Sequence, residues 1–332
     1  MRVLIVTAMY PTPTNPAFGS FVRTQVESLR QVGVEIELLV LEGRYRKLIY
    51  PKGVVQLHRH LAHDSTDLVH AHYSLSGMVA RTQWKVPLVV TYHGDDLLGS
   101  RNTHGQITRF SKLVVLAGQV LGQLANAVIV QSREMASKLK RDDVYVIPHE
   151  VDLELFRPED RERARSILGL NPKKKYVLFA ANPAIPVKRF PLAKAVAESL
   201  VQQDPSIELL VVYTETQQRL ALYMNACDAL IFPSFQEGSP NIVKQAMACN
   251  LPIVATDVGD VREIIGNTEG CYVCNPDVGE FAERLGEILN HQRRTHGREN
   301  VRHLDRLSVA RRVMQVYEET LAKRRNVQRQ DS

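Results

Sequence analysis

Residues 229–260 read ALIFPSFQEGSPNIVKQAMACNLPIVATDVGD. The apolar run Ala229–Phe232 ends at Pro233-Ser234, as a strand covered on both faces does. A loop follows with Glu237-Gly238-Ser239-Pro240, then a helix over Asn241–Cys249 and a second apolar strand, Pro252–Thr256. Gly238 lets backbone approach a ligand closely. Pro240 suits a first helical turn, whose N–H groups can meet a phosphate or sugar hydroxyls. Glu237 beside them can accept two hydroxyl hydrogen bonds. A helix merely capped by an acidic loop residue has the same pattern, so this stretch alone leaves both readings open.

Outward from it, the same alternation fills the chain. Towards the C-terminus of the pattern the strands are Tyr176–Ala180, Ile207–Tyr213, Ala229–Phe232 and Cys271–Val273, with helices Leu192–Gln202 and Gln217–Ala226 between. Towards the N-terminus they are Arg2–Ala8, Glu35–Leu41, Asp67–Ala71, Pro87–Tyr92, Ala127–Gln131 and Val144–Ile147. The helix Phe18–Gln31 puts Val22, Val26 and Leu29 on one face, and Gly33 ends it. Apolar strands alternating with helices predict α/β domains with parallel sheets. The pattern breaks over Val151–Glu159, before a short helix Arg161–Leu168. At roughly 100–200 residues per domain, 332 residues favour two. The pattern thus divides into two α/β domains, 1–150 and 151–308. Residues 309–332 read as a terminal helix with Ala310, Val313, Met314, Tyr317 and Leu321 on one stripe and a frayed tail from Arg324.

Composition narrows the class. With 44% hydrophobic and 23% charged residues the chain resembles an ordinary globular protein. No apolar run approaches the roughly 20 residues that span a bilayer, and MRVLIVTAMYP lacks a signal-peptide cleavage site. Of the four cysteines only Cys271 and Cys274 form a C-x-x-C, without further ligands for zinc; they read as small strand residues. Reduced thiols fit the cytoplasm. The net charge of +6 points to an anionic partner: a nucleotide, an anionic membrane surface or a nucleic acid. Aromatic residues do not interleave with basic ones, which argues against nucleic acid. Arg44–His60 holds five Lys or Arg and no acid, and fits a platform on a membrane face or a solvated basic segment equally well.

The signature segment resembles glycosyltransferase family 4, retaining enzymes of the GT-B fold, two Rossmann-like domains facing across a cleft. Glu237, Gly238, Pro240, Ala246-Met247-Ala248, Pro252-Ile253-Val254 and Gly259 match its pattern. So do MRVLIVTAMYP, Tyr92-His93-Gly94, the linker VDLELF and the ending VYEETL, so the likeness covers nearly the whole chain. The resemblance implies that 1–150 is the acceptor-side domain, that 151–308 binds the nucleotide-sugar and that the helix 309–332 crosses back to the first domain. In the donor site it implies, Glu237 holds sugar hydroxyls, while backbone from Gly238 through Ser239 and Pro240 to Asn241 cradles sugar and diphosphate. It implies that Lys188, with Arg189 beside it, counters the leaving diphosphate, that Gly19 abuts the diphosphate, and that His93 lies by the reacting face of the sugar. A lone Lys-Arg pair is otherwise a solvated loop, and a lone histidine is more often structural. No D-x-D triplet occurs, so no metal and no cofactor are expected; Lys188 and helix dipoles would take the metal's part. Internal return, in which the leaving phosphate takes the acceptor's proton, needs no carboxylate nucleophile.

Three positions depart from the family. Gln245 stands where a glutamate binds both ribose hydroxyls, which predicts weaker donor binding. Asn182 stands where many relatives have arginine, and Glu150 where a glycine is usual at the hinge. If that hinge needs positive φ, Glu150 costs on the order of 1 kcal/mol. The expectation is therefore a metal-independent retaining glycosyltransferase acting from a nucleotide-sugar donor on a glycan or lipid-linked acceptor, in polysaccharide or glycoconjugate synthesis. It would work in the cytoplasm or peripherally on the membrane's cytoplasmic face. The rival is a catalytically weakened nucleotide-sugar-binding protein; a nucleotide-sugar epimerase fits the acidic loop and Ala-Met-Ala less well.

Overall fold

A computed structural model describes residues 1–13, 15, 18–42, 48–100 and 106–330, with side chains as far as residue 326. Two compact units emerge. Met1–Ser100, Ile107–Glu150 and the chain from Arg306 onward form the first, and Val151–Asp305 falls in the second.

The first unit begins β1 (Arg2–Thr7), α1 (Ser20–Gln31), β2 (Glu35–Val40), α2 (Ile49–His63), β3 (Leu68–His72) and α3 (Ser74–Arg81). It continues β4 (Leu88–Thr91), α4 (Asp95–Leu98), α5 (Arg109–Leu124), β5 (Ala127–Val130), α6 (Arg133–Ala136) and β6 (Val144–Val146). All six strands pair in parallel, in the order β2-β1-β3-β4-β5-β6. β1, β3, β4 and β5 are buried almost throughout, because helices cover both faces of the sheet. Leu4, Val69, Val90 and Val128 meet Leu57, Val79 and Leu121 in one core.

The second unit contains α7 (Arg161–Leu168), β7 (Lys175–Phe179), α8 (Phe190–Gln203), β8 (Ile207–Val211), α9 (Gln217–Ala226), β9 (Ala229–Phe232) and α10 (Asn241–Ala248). There follow β10 (Ile253–Thr256), α11 (Val261–Ile265), β11 (Cys271–Cys274), α12 (Val278–His291) and α13 (Arg298–Val301). Its parallel sheet runs β11-β10-β9-β7-β8. The four cysteines are free thiols, and burial pushes Cys271 up to about 12. Asp228 accepts from Arg161 and Arg165, both at 2.8 Å, and ties α7 to the start of β9.

α14 (Arg306–Gln330) closes the chain and packs on α1 in the first unit. The tail expected to fray from Arg324 is helical to Gln330 instead. Residues 306–330 contain no Gly or Pro to stop the helix. No helix among the described residues is long and apolar enough to cross a membrane.

Candidate functional site

In the second unit the signature loop lies between β9 and α10. Phe235 N–H donates to the Val187 carbonyl at 2.8 Å, which ties this loop to a short 3₁₀ turn, Pro186–Lys188. The tie brings Lys188 Nζ to 2.6 Å from Glu237 Oε1, across 49 residues of sequence, with both side chains partly buried. Arg189 next to it adopts φ 49, a conformation L-residues disfavour, and its guanidinium sits 4.4 Å over the Phe235 ring. Strain of this kind persists only where the surroundings hold it, as they do around ligand sites.

Gly238 lies against the turn at Gly259. A Cβ on Gly259, at φ +60, would come within 2.6 Å of the Gly238 carbonyl oxygen. Pro240 caps α10 rather than entering its first turn, and Asn241 is the first helical residue. Ser239 donates to Asp260 at 2.6 Å and accepts from Lys244 Nζ at 3.0 Å. Lys244 is wholly buried. Burial raises the Asp260 carboxyl to about 6, and the nearby Lys244 charge pulls the other way. The sequence pattern does not single out Asp260, and it marks Lys244 only as a lysine placed between Val243 and Ala246 on the buried side of an apolar helix.

Gln245 is half-buried and donates to Gln217 Oε1 at 2.9 Å, linking α10 to the first turn of α9. Asn182 accepts from the Ala184 N–H at 2.9 Å and shapes the bend before Lys188. Glu150 is not among the residues with positive φ, so the hinge strain expected there does not arise.

In the first unit Gly19, φ 67, precedes α1, where a Cβ would meet the Met9 carbonyl carbon at 2.4 Å. The chain after β1 therefore passes too close for any side chain. His93 follows β4 and joins a chain of imidazoles. Its Nε2 is 3.0 Å from His72 Nδ1 and its Nδ1 is 3.1 Å from His149 Nε2. Phe21 and Tyr73 pack on its ring at 4.9 and 4.5 Å. His70, its ring tilted against that of His72 at 4.5 Å, bonds Tyr317 of α14 at 2.6 Å and Thr91 at 2.7 Å. Burial is the leading cause that holds His70, His72 and His93 neutral; it takes His72 down to about 3. Both ring nitrogens of His93 are thus engaged by other histidines. Asp96 accepts from the N–H groups of His93 and Gly94, and burial raises its carboxyl to about 7. Nothing local in the sequence says that His72, His149 and Asp96 meet His93. Arg44–Lys47, the start of the basic stretch, lies outside the described residues.

Five of the expected residues, Lys188, Arg189, Glu237, Gly238 and Ser239, share one corner of the second unit. His93 and Gly19 belong to the first unit. A partly buried carboxylate beside an ammonium can take hydroxyls on one side and an anion on the other.

Residues 2–155 match the family model for Glycosyltransferase Family 4, and residues 189–291 match that for Glycosyl transferases group 1. TuaC of Bacillus subtilis (strain 168), a glycosyltransferase provisionally assigned to teichuronic acid biosynthesis, is 26% identical over 88% of this chain and 90% of its own length. The D-inositol 3-phosphate glycosyltransferase of Mycolicibacterium smegmatis is 28% identical over 74% of this chain, which spans 65% of that relative. Among solved structures, sucrose-phosphate synthase from Thermosynechococcus elongatus superposes with a TM-score of 0.79 at 21% identity, covering 97% of this chain and 99% of its own. Anabaena HepE in complex with UDP and glucose superposes at 0.71 and 16% identity, covering 96% and 99%.

Proposed function

The chain belongs to glycosyltransferase family 4, with the GT-B fold, and on that premise we propose that it transfers a hexose from a nucleotide-sugar donor with retention and without a metal. The observation that carries this reading is the Lys188–Glu237 pair at 2.6 Å beside the glycine turn that opens α10. When the donor enters, its diphosphate competes for the Lys188 ammonium and its sugar hydroxyls bind Glu237. As the anomeric C–O bond breaks, charge grows on the diphosphate, where Lys188 offsets it most. The acceptor oxygen bonds the anomeric carbon on the same face, and its proton leaves on the diphosphate. His93, which the resemblance puts by the reacting face of the sugar, is held neutral by burial and has both ring nitrogens taken by His72 and His149.

The donor is supported by likeness to proteins that bind UDP and glucose, and the acceptor reading is a glycan or lipid-linked alcohol in polysaccharide or glycoconjugate synthesis. Peripheral contact with an anionic membrane is part of the proposal; sedimentation with liposomes of rising phosphatidylglycerol content checks it. A second reading, a weakened nucleotide-sugar-binding protein, draws on Gln245 being occupied by Gln217. A donor panel of UDP-, GDP- and ADP-sugars decides between them. Transfer or slow donor hydrolysis that falls about 100-fold in Glu237→Gln and Lys188→Met supports the enzyme. Donor binding without any turnover supports the second reading.

A further inference from the structure

The first unit holds a pocket of about 270 Å³ at the C-terminal ends of β1, β3 and β4. Chain order reverses between β1 and β3, with β2 on one side and β3 on the other, and ligands of open parallel sheets sit at such a switch point. Met9 follows β1, Tyr73 follows β3 and Asp96 follows β4; Phe110 and Val114 of α5 close the other side. Tyr73 is held at φ 69, with its ring 4.5 Å from that of His93, so the pocket adjoins the imidazole assigned to the reacting centre.

α5 is built inside out. Its buried residues are Ser111, Gly118, Leu121 and Gly122, and a Cβ on Gly118 would come within 2.8 Å of the Asp96 carbonyl oxygen. Small residues are thus required on the inner face. The outer face carries Phe110, Leu113, Leu116, Val120 and Leu124, between 42% and 70% exposed, and no Asp or Glu occurs from Arg109 to Leu124. At about 1.5 Å per residue this apolar stripe runs for roughly 20 Å. Monomeric soluble proteins rarely leave such a stripe without a use. Phe110 belongs to both pocket and stripe, so the two form one continuous apolar path.

We propose that this path is the acceptor site, and that the acceptor is an amphiphile: a hydroxylated head in the pocket, a hydrocarbon chain along α5. The proposal rests on the glycosyltransferase reading, since His93 marks the reacting end. Rings of Tyr50, Tyr73 and Phe110 suit the faces of a sugar, while Asp95, Ser100 and Thr108 offer partners for its hydroxyls. A protein partner would cover the stripe alone, whereas the continuity of stripe and pocket through Phe110 favours one molecule that occupies both.

The test uses the full chain, with n-dodecyl β-D-maltoside below its micellar concentration and maltose as probes, and binding read by calorimetry. The dodecyl compound is expected to bind at least tenfold more tightly than maltose. Val114→Trp, which fills the pocket, and the surface pair Leu116→Glu with Val120→Glu should each remove tenfold or more. UDP, GDP or ADP, whichever binds the parent best, should keep its affinity within twofold in all of them. Equal binding of maltose and its dodecyl glycoside, or dodecyl binding that survives both changes, overturns the proposal. So does sedimentation with phosphatidylcholine vesicles without any binding of the dodecyl compound, which would make α5 a bilayer contact only. If no nucleotide binds the parent, the glycosyltransferase reading falls separately from the amphiphile result.

Discussion

The buried histidines of the first unit make its stability fall with acid. His72, wholly enclosed, has its pKa lowered from 6.5 to about 3 by burial. A base whose folded pKa is depressed contributes stability that is fully present above 6.5 and lost as pH falls from there toward about 3. Between those limits the unfolded chain carries one proton that the native state refuses, a slope of about 1.4 kcal/mol per pH unit. From pH 7.5 to 5.0 His72 alone then removes about 2 kcal/mol, against a typical total of about 5–15 kcal/mol. His70 and His93 shift in the same direction, so the whole unit should lose more. Trp84 is the sole tryptophan and lies in this unit, so urea unfolding followed by its fluorescence reads the right domain. His72→Gln, which keeps an amide within reach of His93, should shrink the loss between pH 7.5 and 5.0 by about 2 kcal/mol. An unchanged slope in His72→Gln, or a parent whose stability is flat across that range, refutes the reasoning.

Gln245→Glu restores a charged acceptor beside α9, and should tighten nucleoside diphosphate binding about tenfold by calorimetry; an equal Kd removes Gln245 from the ribose site. Gly259→Ala forces a Cβ to 2.6 Å from the Gly238 oxygen at φ +60, so the second unit should lose at least about 1 kcal/mol, seen as a lower Tm. Lys244→Met leaves Asp260 buried without its cation and should cost about 2 kcal/mol, partly recovered by adding Asp260→Asn, with differential scanning calorimetry as the measure.

Short-range pattern was enough for the elements. Ala229–Phe232 and Gln217–Ala226 lie where apolar runs and caps put them, and most other strand ends differ by a residue or two. Parallel α/β architecture followed, since strands apolar on both faces can be satisfied only between layers of helix. α12 passed unnoticed, although Phe281, Leu285, Ile288 and Leu289 repeat at helical spacing. The outward apolar face of α5 was unreadable as such, because periodicity shows a stripe without saying which side is solvent.

The sequence by itself determined the strands, most of the helices between them, the signature loop and the identity of Lys188 and Glu237 as the pair to watch. Only the tertiary structure decided that Lys188 reaches Glu237, that Tyr317 bonds His70 from 247 residues away, and that Lys244 turns inward to Ser239. Local composition sets backbone dihedrals within a few residues. Hydrogen-bond partners between distant segments depend on strand order and on helix packing, which no short stretch of chain encodes alone.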